Sequence, residues 1–146
     1  MDKVILYLED DANMRRHTTE LLKERGYNVE EFRRIDQVKE YFSRHADDIA
    51  CIIADLNMAD EWLGEYRAES DGGLMSGWVW LRYFVYPIKP NMPTIIYSGY
   101  TEYLYEALNR NDELSLLERD NIICVAKGAG IDEGFHGLIN ALKKLT

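Results

Sequence analysis

The sequence predicts an α/β fold built around a parallel sheet, and two observations carry that prediction. Five short apolar runs (Val4–Leu8, Tyr27–Phe32, Ile49–Asp55, Thr94–Ser98 and Ile122–Lys127) alternate with stretches whose apolar residues recur at helical spacing. In addition, four of the runs end in polar side chains of different chemistry: Glu9-Asp10-Asp11, Asp55, Ser98 and Lys127. Alternating strands and helices imply right-handed crossovers and a sheet covered on both faces. In such sheets ligands gather outside the carboxyl ends of the strands, where these polar groups fall.

Each element follows from local signals. Val4–Leu8 is apolar and bounded by charge, the mark of a buried strand. Asp11 is placed to cap a helix from about Ala12 to Arg25, with Met14, Leu21 and Leu22 toward the core and Gly26 as its stop. Asp36 is expected to cap a second helix that aligns Val38, Tyr41 and Phe42 on one face. A third helix runs from Gly77 to about Tyr86, ended by Pro87 and aromatic on most sides. Pro93 introduces the fourth strand, and Thr101–Arg110 reads as a helix. Asp132 is expected to cap a last helix with Phe135, Leu138, Ile139 and Leu142 at core spacing. Two stretches, about 57–76 and 110–121, are long for connections that ordinarily take about two to six residues. The first is acidic, carries Trp62 and Tyr66, and turns at Gly72-Gly73.

Composition narrows the function. A chain of 146 residues, 47% hydrophobic and 29% charged, suits one domain with its own core. A net charge of −9 opposes direct binding to a phosphate backbone. No apolar run is long enough to span a bilayer, and Met1-Asp2-Lys3 leads straight into a strand, so a cytoplasmic location is expected. The two cysteines, Cys51 and Cys124, both fall in apolar runs and read as buried thiols. His17, His45 and His136 have no metal-ligand spacing.

The polar strand ends carry the chemistry. A single carboxylate at one strand end and a cluster at another repel each other unless a cation shares them. A hard divalent ion such as Mg²⁺ resolves this, because it takes oxygen ligands and leaves room for water and phosphate. A carboxylate that attacks phosphorus needs alignment and charge neutralisation more than covalent help.

With these residues in view, four blocks resemble the signature segments of response-regulator receiver domains, the CheY-like modules of two-component signalling. They are Leu6-Tyr7-Leu8-Glu9-Asp10-Asp11, Ile52-Ile53-Ala54-Asp55-Leu56-Asn57-Met58, Ile95-Ile96-Tyr97-Ser98-Gly99 and Val125-Ala126-Lys127. The resemblance spans almost the whole chain as a single receiver domain with two extended loops. It implies a doubly wound, flavodoxin-like five-stranded sheet of order 2-1-3-4-5. It further implies that Asp55 is the phosphoacceptor and that Asp10, Glu9 (through water) and the backbone carbonyl of Asn57 hold Mg²⁺ with Asp55. Ser98 would bond one phosphoryl oxygen and Lys127 another. Two positions depart from the family pattern. Cys124 stands where an aromatic is usual, and Gly128 stands where proline is usual. Both departures bear on how a switch would propagate, and Tyr100 or Tyr103 is a candidate substitute for the aromatic.

The function these features imply is that of a stand-alone phosphorylation switch, not an enzyme. It would take a phosphoryl group from a sensor histidine kinase or a histidine phosphotransfer protein and change its protein contacts. The rival reading is an atypical receiver that binds a partner without phosphorylation. An aspartyl-nucleophile phosphohydrolase is disfavoured, since Asn57 occupies the place of its second aspartate and an amide is no general acid or base. For the aromatic helix, two expectations compete: the 57–76 extension folds over it, or it leaves a patch for a partner or a homodimer. The acidic extension could also act as a lid over Asp55.

Overall fold

The computed structural model describes residues 3–128 and 131–146, without the side chains of Ile131 and Asp132. The N-terminal Met1-Asp2 and the expected cap at Asp132 therefore lie outside the described residues. The strands are β1 (Val4–Leu8), β2 (Val29–Phe32), β3 (Ile49–Ala54), β4 (Thr94–Ser98) and β5 (Ile122–Ala126). All pair in parallel in the order β2-β1-β3-β4-β5. The helices are α1 (Ala12–Glu24), α2 (Ile35–His45), α3 (Ser76–Trp80), α4 (Thr101–Arg110) and α5 (Ile131–Leu145).

The two-residue period of a strand sorts the core into two layers. Leu6, Leu8, Ile52, Ala54 and Ile96 face α2, α3 and α4 through Val38, Phe42, Trp80, Leu104 and Leu108. Ile5, Tyr7, Cys51, Ile53, Ile95 and Tyr97 face α1 and α5 through Leu22, Phe135, Leu138, Ile139 and Leu142. Among the described residues no helix is long and apolar enough to cross a membrane.

Several expectations are refined. Asp11 caps α1, its carboxylate accepting the Met14 N–H at 2.9 Å. In α1 it is Thr18, Thr19 and Leu22 that are buried, with Met14 half-exposed. The β2 ladder begins at Val29, two residues later than expected. Asp36 is not a cap: α2 starts at Ile35, and Asp36 instead forms a 3.0 Å ion pair with Arg34 in the first turn. α3 starts at Ser76 and widens into a π-helical turn over Leu81–Val85 before Pro87.

The 57–76 stretch is structured. It forms short 3₁₀ turns over Glu61–Ser70, broken at Gly64, and folds over the outer face of α2 and α3. Tyr66 stacks on Tyr83 with ring centres 4.0 Å apart and packs edge-on against Phe84. The Lys39 ammonium donates to the Trp62 carbonyl at 3.1 Å and lies over the Phe84 ring. Asp60 is held by Arg67 at 3.0 Å and by the Ser70 hydroxyl at 2.7 Å. Of the two competing expectations for the aromatic helix, the structure shows the first. The 110–121 stretch likewise contributes Leu114, Leu116 and the buried Leu117 to the same layer.

Candidate functional site

Register places the site. Leu8 of β1 pairs with Ala54 of β3, so Glu9 and Asp55 lie side by side one residue past the last rung. The Asp55 N–H donates to the Leu8 carbonyl at 3.0 Å and locks that adjacency. On the other side Ser98 pairs with Ala126, and the Lys127 N–H donates to the Ser98 carbonyl at 3.1 Å. The strand order reverses direction between β1 and β3, the switch point at which such sheets open a crevice. The polar ends thus converge because the sheet is parallel and in register.

At this rim Lys127 joins two carboxylates. Its ammonium donates to Asp55 Oδ2 at 3.0 Å and to Glu9 Oε1. Glu9 is 1% exposed and Asp55 8% exposed, so the ammonium is shared in a nearly dry place. The remaining oxygens are also engaged: Asp55 Oδ1 accepts the Leu56 N–H at 2.7 Å, and Glu9 Oε2 accepts the Asp11 N–H at 3.3 Å. Arg15, one turn into α1, fixes the strand end by donating to the Glu9 carbonyl at 2.8 Å. Glu9, Asp10 and Asp55 each offer an oxygen within 4.8 Å of the others, and Asp10 is exposed, so the group could hold a metal ion on its open side.

Electrostatics follow from this count of two buried carboxylates to one ammonium. Burial, then the neighbouring Asp55 charge, pushes the Glu9 carboxyl up to about 8 despite Lys127. Burial opposes the Lys127 ammonium, but Asp55 and Glu9 together hold its pKa above the ordinary value. The site lacks positive charge, and a divalent cation would supply it.

The other expected residues lie at the same edge in different roles. Ser98 is fully buried, and its hydroxyl accepts the Tyr100 N–H at 3.1 Å. Asn57 is exposed two residues past Asp55. Tyr100 and Tyr105 are about equally exposed, at 42% and 44%, Tyr103 is half-buried, and it is Tyr105 of α4 that lies beside the Cys124 thiol. Burial raises that thiol to about 11, so it is no nucleophile at neutral pH. The glycine at 128 has a local reason, since a Cβ there would come within 2.7 Å of the Glu133 carboxylate on α5.

Sequence reasoning missed Arg15 and Gly77. A Cβ on Gly77 would lie 1.8 Å from the Asp55 carbonyl, so this glycine lets α3 seat directly under the end of β3. Its N–H donates to the Leu56 carbonyl at 3.0 Å. The Ser-Gly pair ahead of the aromatic run was the available signal, though it does not say which strand the helix meets.

No family model matches the sequence, and no curated protein matches it. Solved structures do match, over nearly the full length. A response-regulator receiver protein from Sinorhizobium medicae is 18% identical, with a TM-score of 0.64 over 99% of this chain and 94% of that one. The response regulator TrrA from Thermotoga maritima, in complex with Mg²⁺ and BeF, is 23% identical, with a TM-score of 0.60 over 99% of each chain. The receiver domain of the hybrid histidine kinase CckA is 19% identical, with a TM-score of 0.59 over 94% and 97%. The fold is that of the response-regulator receiver domain, as the four sequence blocks implied.

Proposed function

We propose that this chain is a Mg²⁺-dependent phosphorylation switch whose phosphoacceptor is Asp55. The observation that carries the reading is the three-way contact of Lys127 with Asp55 and Glu9, with Asp10 open beside them. Glu9, Asp10 and Asp55, with the carbonyl of Asn57, would hold the ion, which supplies the positive charge that the incoming phosphoryl oxygens require. The likeness to a fold captured with Mg²⁺ and BeF supports the same choice of metal.

In the reaction an Asp55 carboxylate oxygen attacks the phosphorus of a partner's phosphohistidine. The P–N bond breaks, and its electron pair returns to the imidazole. Lys127 lies within hydrogen-bond reach of Asp55 and pairs with one phosphoryl oxygen, so little reorganisation is needed as charge develops. The Ser98 hydroxyl, which accepts the Tyr100 N–H, keeps its own proton to donate to another, so that oxygen would be tied through Ser98 to the start of α4. The new phosphate is thereby coupled to the surface around Tyr100 and Tyr105, where altered partner contacts would be read.

Phosphotransfer from a histidine kinase or a phosphohistidine carrier with Mg²⁺ is the direct test. Wild type should become labelled, and beryllofluoride with Mg²⁺ should change its tryptophan fluorescence. Asp55→Asn should abolish both responses; retained labelling in that variant would refute the assignment. If Mg²⁺ and beryllofluoride leave wild type unchanged, the phosphorylation-independent binding module becomes the better reading.

A further inference from the structure

At β2 the sheet has an open edge. β2 pairs with β1 on one side, and among the described residues no strand lies on the other. The Asn28 and Phe32 carbonyls accept the Ile5 and Glu9 N–H groups at 2.7 and 2.9 Å. Backbone groups alternate from side to side along a strand, so Val29 and Glu31 turn theirs outward. Arg34, just before α2, is also extended (φ −136°, ψ 149°).

An unpaired edge is a template for another strand, and chains ordinarily blunt it with charged side chains. Here the charges have an order. Glu30-Glu31-Phe32-Arg33-Arg34 runs from acidic to basic about a central aromatic. Laid antiparallel on a second copy, with Phe32 opposite Phe32, the segment sets Glu31 against Arg33 and Glu30 against Arg34, each pair twice. Sliding it by two residues either way puts Glu31 opposite Glu31 or Arg33 opposite Arg33, and like charges directly opposite are destabilising. The charges therefore select one register. That register also sets the outward-facing Glu31 opposite the next outward position, Arg33, as an antiparallel ladder needs.

We propose that β2 is a dimerisation edge, on which two copies of this chain pair antiparallel about a twofold axis at Phe32. The contact is isologous, and a charge order that complements itself on reversal is what such symmetry requires. Glu30 and Arg33 are exposed and enter no ion pair among the described residues, so each kind of cross-pair has one member with no partner of its own. On the α2 face the Phe32 ring meets Tyr41 at 5.1 Å, and Tyr41 meets His45 at 4.6 Å. All three line a cavity of about 460 Å³ along this edge. Directly opposed residues of antiparallel strands lie about 4.5–5.5 Å apart with their side chains on one face. Phe32 of the second copy would thus enter this cavity. The paired segment is short, which makes the dimer weak and controlled by concentration. The inference does not depend on the role of Asp55.

Sedimentation equilibrium across the micromolar to millimolar range tests it, and wild type should pass from monomer to dimer. Arg33→Glu places like charges opposite each other twice, as does Glu31→Arg, and each alone should raise the dissociation constant about tenfold or more. An equal mixture of the two variants should recover dimers, because every cross-pair between them joins unlike charges. The mixture has the mean net charge of wild type, so recovery cannot come from a change in overall repulsion. Thermal unfolding reads retention of the fold in each variant. In wild type, hydrogen exchange at the Glu31 amide should slow as dimers form. A chain that stays monomeric throughout, a dimer that both variants leave intact, or a mixture that recovers nothing overturns the inference. So does a wild-type dimer in which the Glu31 amide exchanges as fast as in the monomer.

Discussion

The rim of the sheet and the flank covered by the 57–76 extension handle charge in opposite ways. On the flank the charges are either matched with partners (Asp60 with Arg67 and Ser70, Glu69 with Tyr83, Arg82 with Glu113) or, as at Glu61, Glu65 and Asp71, exposed to solvent. At the rim two buried carboxylates share one ammonium, and a third carboxylate stands exposed beside them. Matched charges hold a surface in place and ask for nothing further. An under-compensated buried cluster is costly as it stands, and a cation bound there would relieve that cost. The contrast separates the part of the molecule that is architecture from the part that could hold an ion.

Removing Lys127 should break the contrast most severely. Lys127→Ala leaves Asp55 buried beside Glu9 without a counter-charge, and we expect a loss of about 3–5 kcal/mol in metal-free protein. Chemical denaturation should register this loss, and Mg²⁺ should recover part of it. Recovery distinguishes a site short of positive charge from one that has merely lost packing. Next comes Gly77→Ala, which drives a methyl group into the Asp55 carbonyl. The backbone cannot yield cheaply there, and a loss of about 3 kcal/mol is expected, together with weakened Mg²⁺ binding because the end of β3 that carries Asp55 shifts.

The pH dependence sharpens the comparison further. The folded, metal-free protein holds Glu9 near 8 against an ordinary value of 4.5. Its neutral form is favoured by folding, so the stability it contributes is complete below about 4.5 and is lost as pH rises toward 8. A bound cation needs the carboxylate, so Mg²⁺ affinity should rise with pH through that window, approaching about tenfold per unit where one proton is released. Titration by tryptophan fluorescence measures it, and Glu9→Gln should flatten the slope. The smallest effect is assigned to the flank. Tyr66→Ala removes the stack on Tyr83 and should cost about 1–2 kcal/mol in thermal or chemical unfolding. Mg²⁺ affinity should stay the same; a parallel loss would mean that the extension supports the rim as a lid does.

Legibility in the sequence followed the range of the signal. Strands β1, β3, β4 and β5 and helix α4 were readable because each is a continuous local pattern of burial. The polar groups that meet at the rim, Glu9, Asp55 and Lys127, were readable because each closes such a run. Asp36 misled because Asp near a helix start signals a cap, yet the Arg34 side chain claims it within the first turn. Ser98 was placed at the correct edge, but its hydroxyl partner, the Tyr100 N–H, depends on how the β4–α4 turn closes. The aromatic helix was ambiguous for the same reason: eight or nine bulky residues in a row do not say what covers them.

By itself the sequence determined the alternation of elements, the two-layered core and the chemical identity of each strand end, since these depend on periodicity over a few residues. Tertiary structure alone decided that one ammonium would bridge two carboxylates, that a glycine would let α3 pass beneath Asp55, and that the Arg34 guanidinium would lie over the Trp62 ring. Those contacts join residues far apart in the chain, and only the parallel register and the crossovers bring them within a few ångströms.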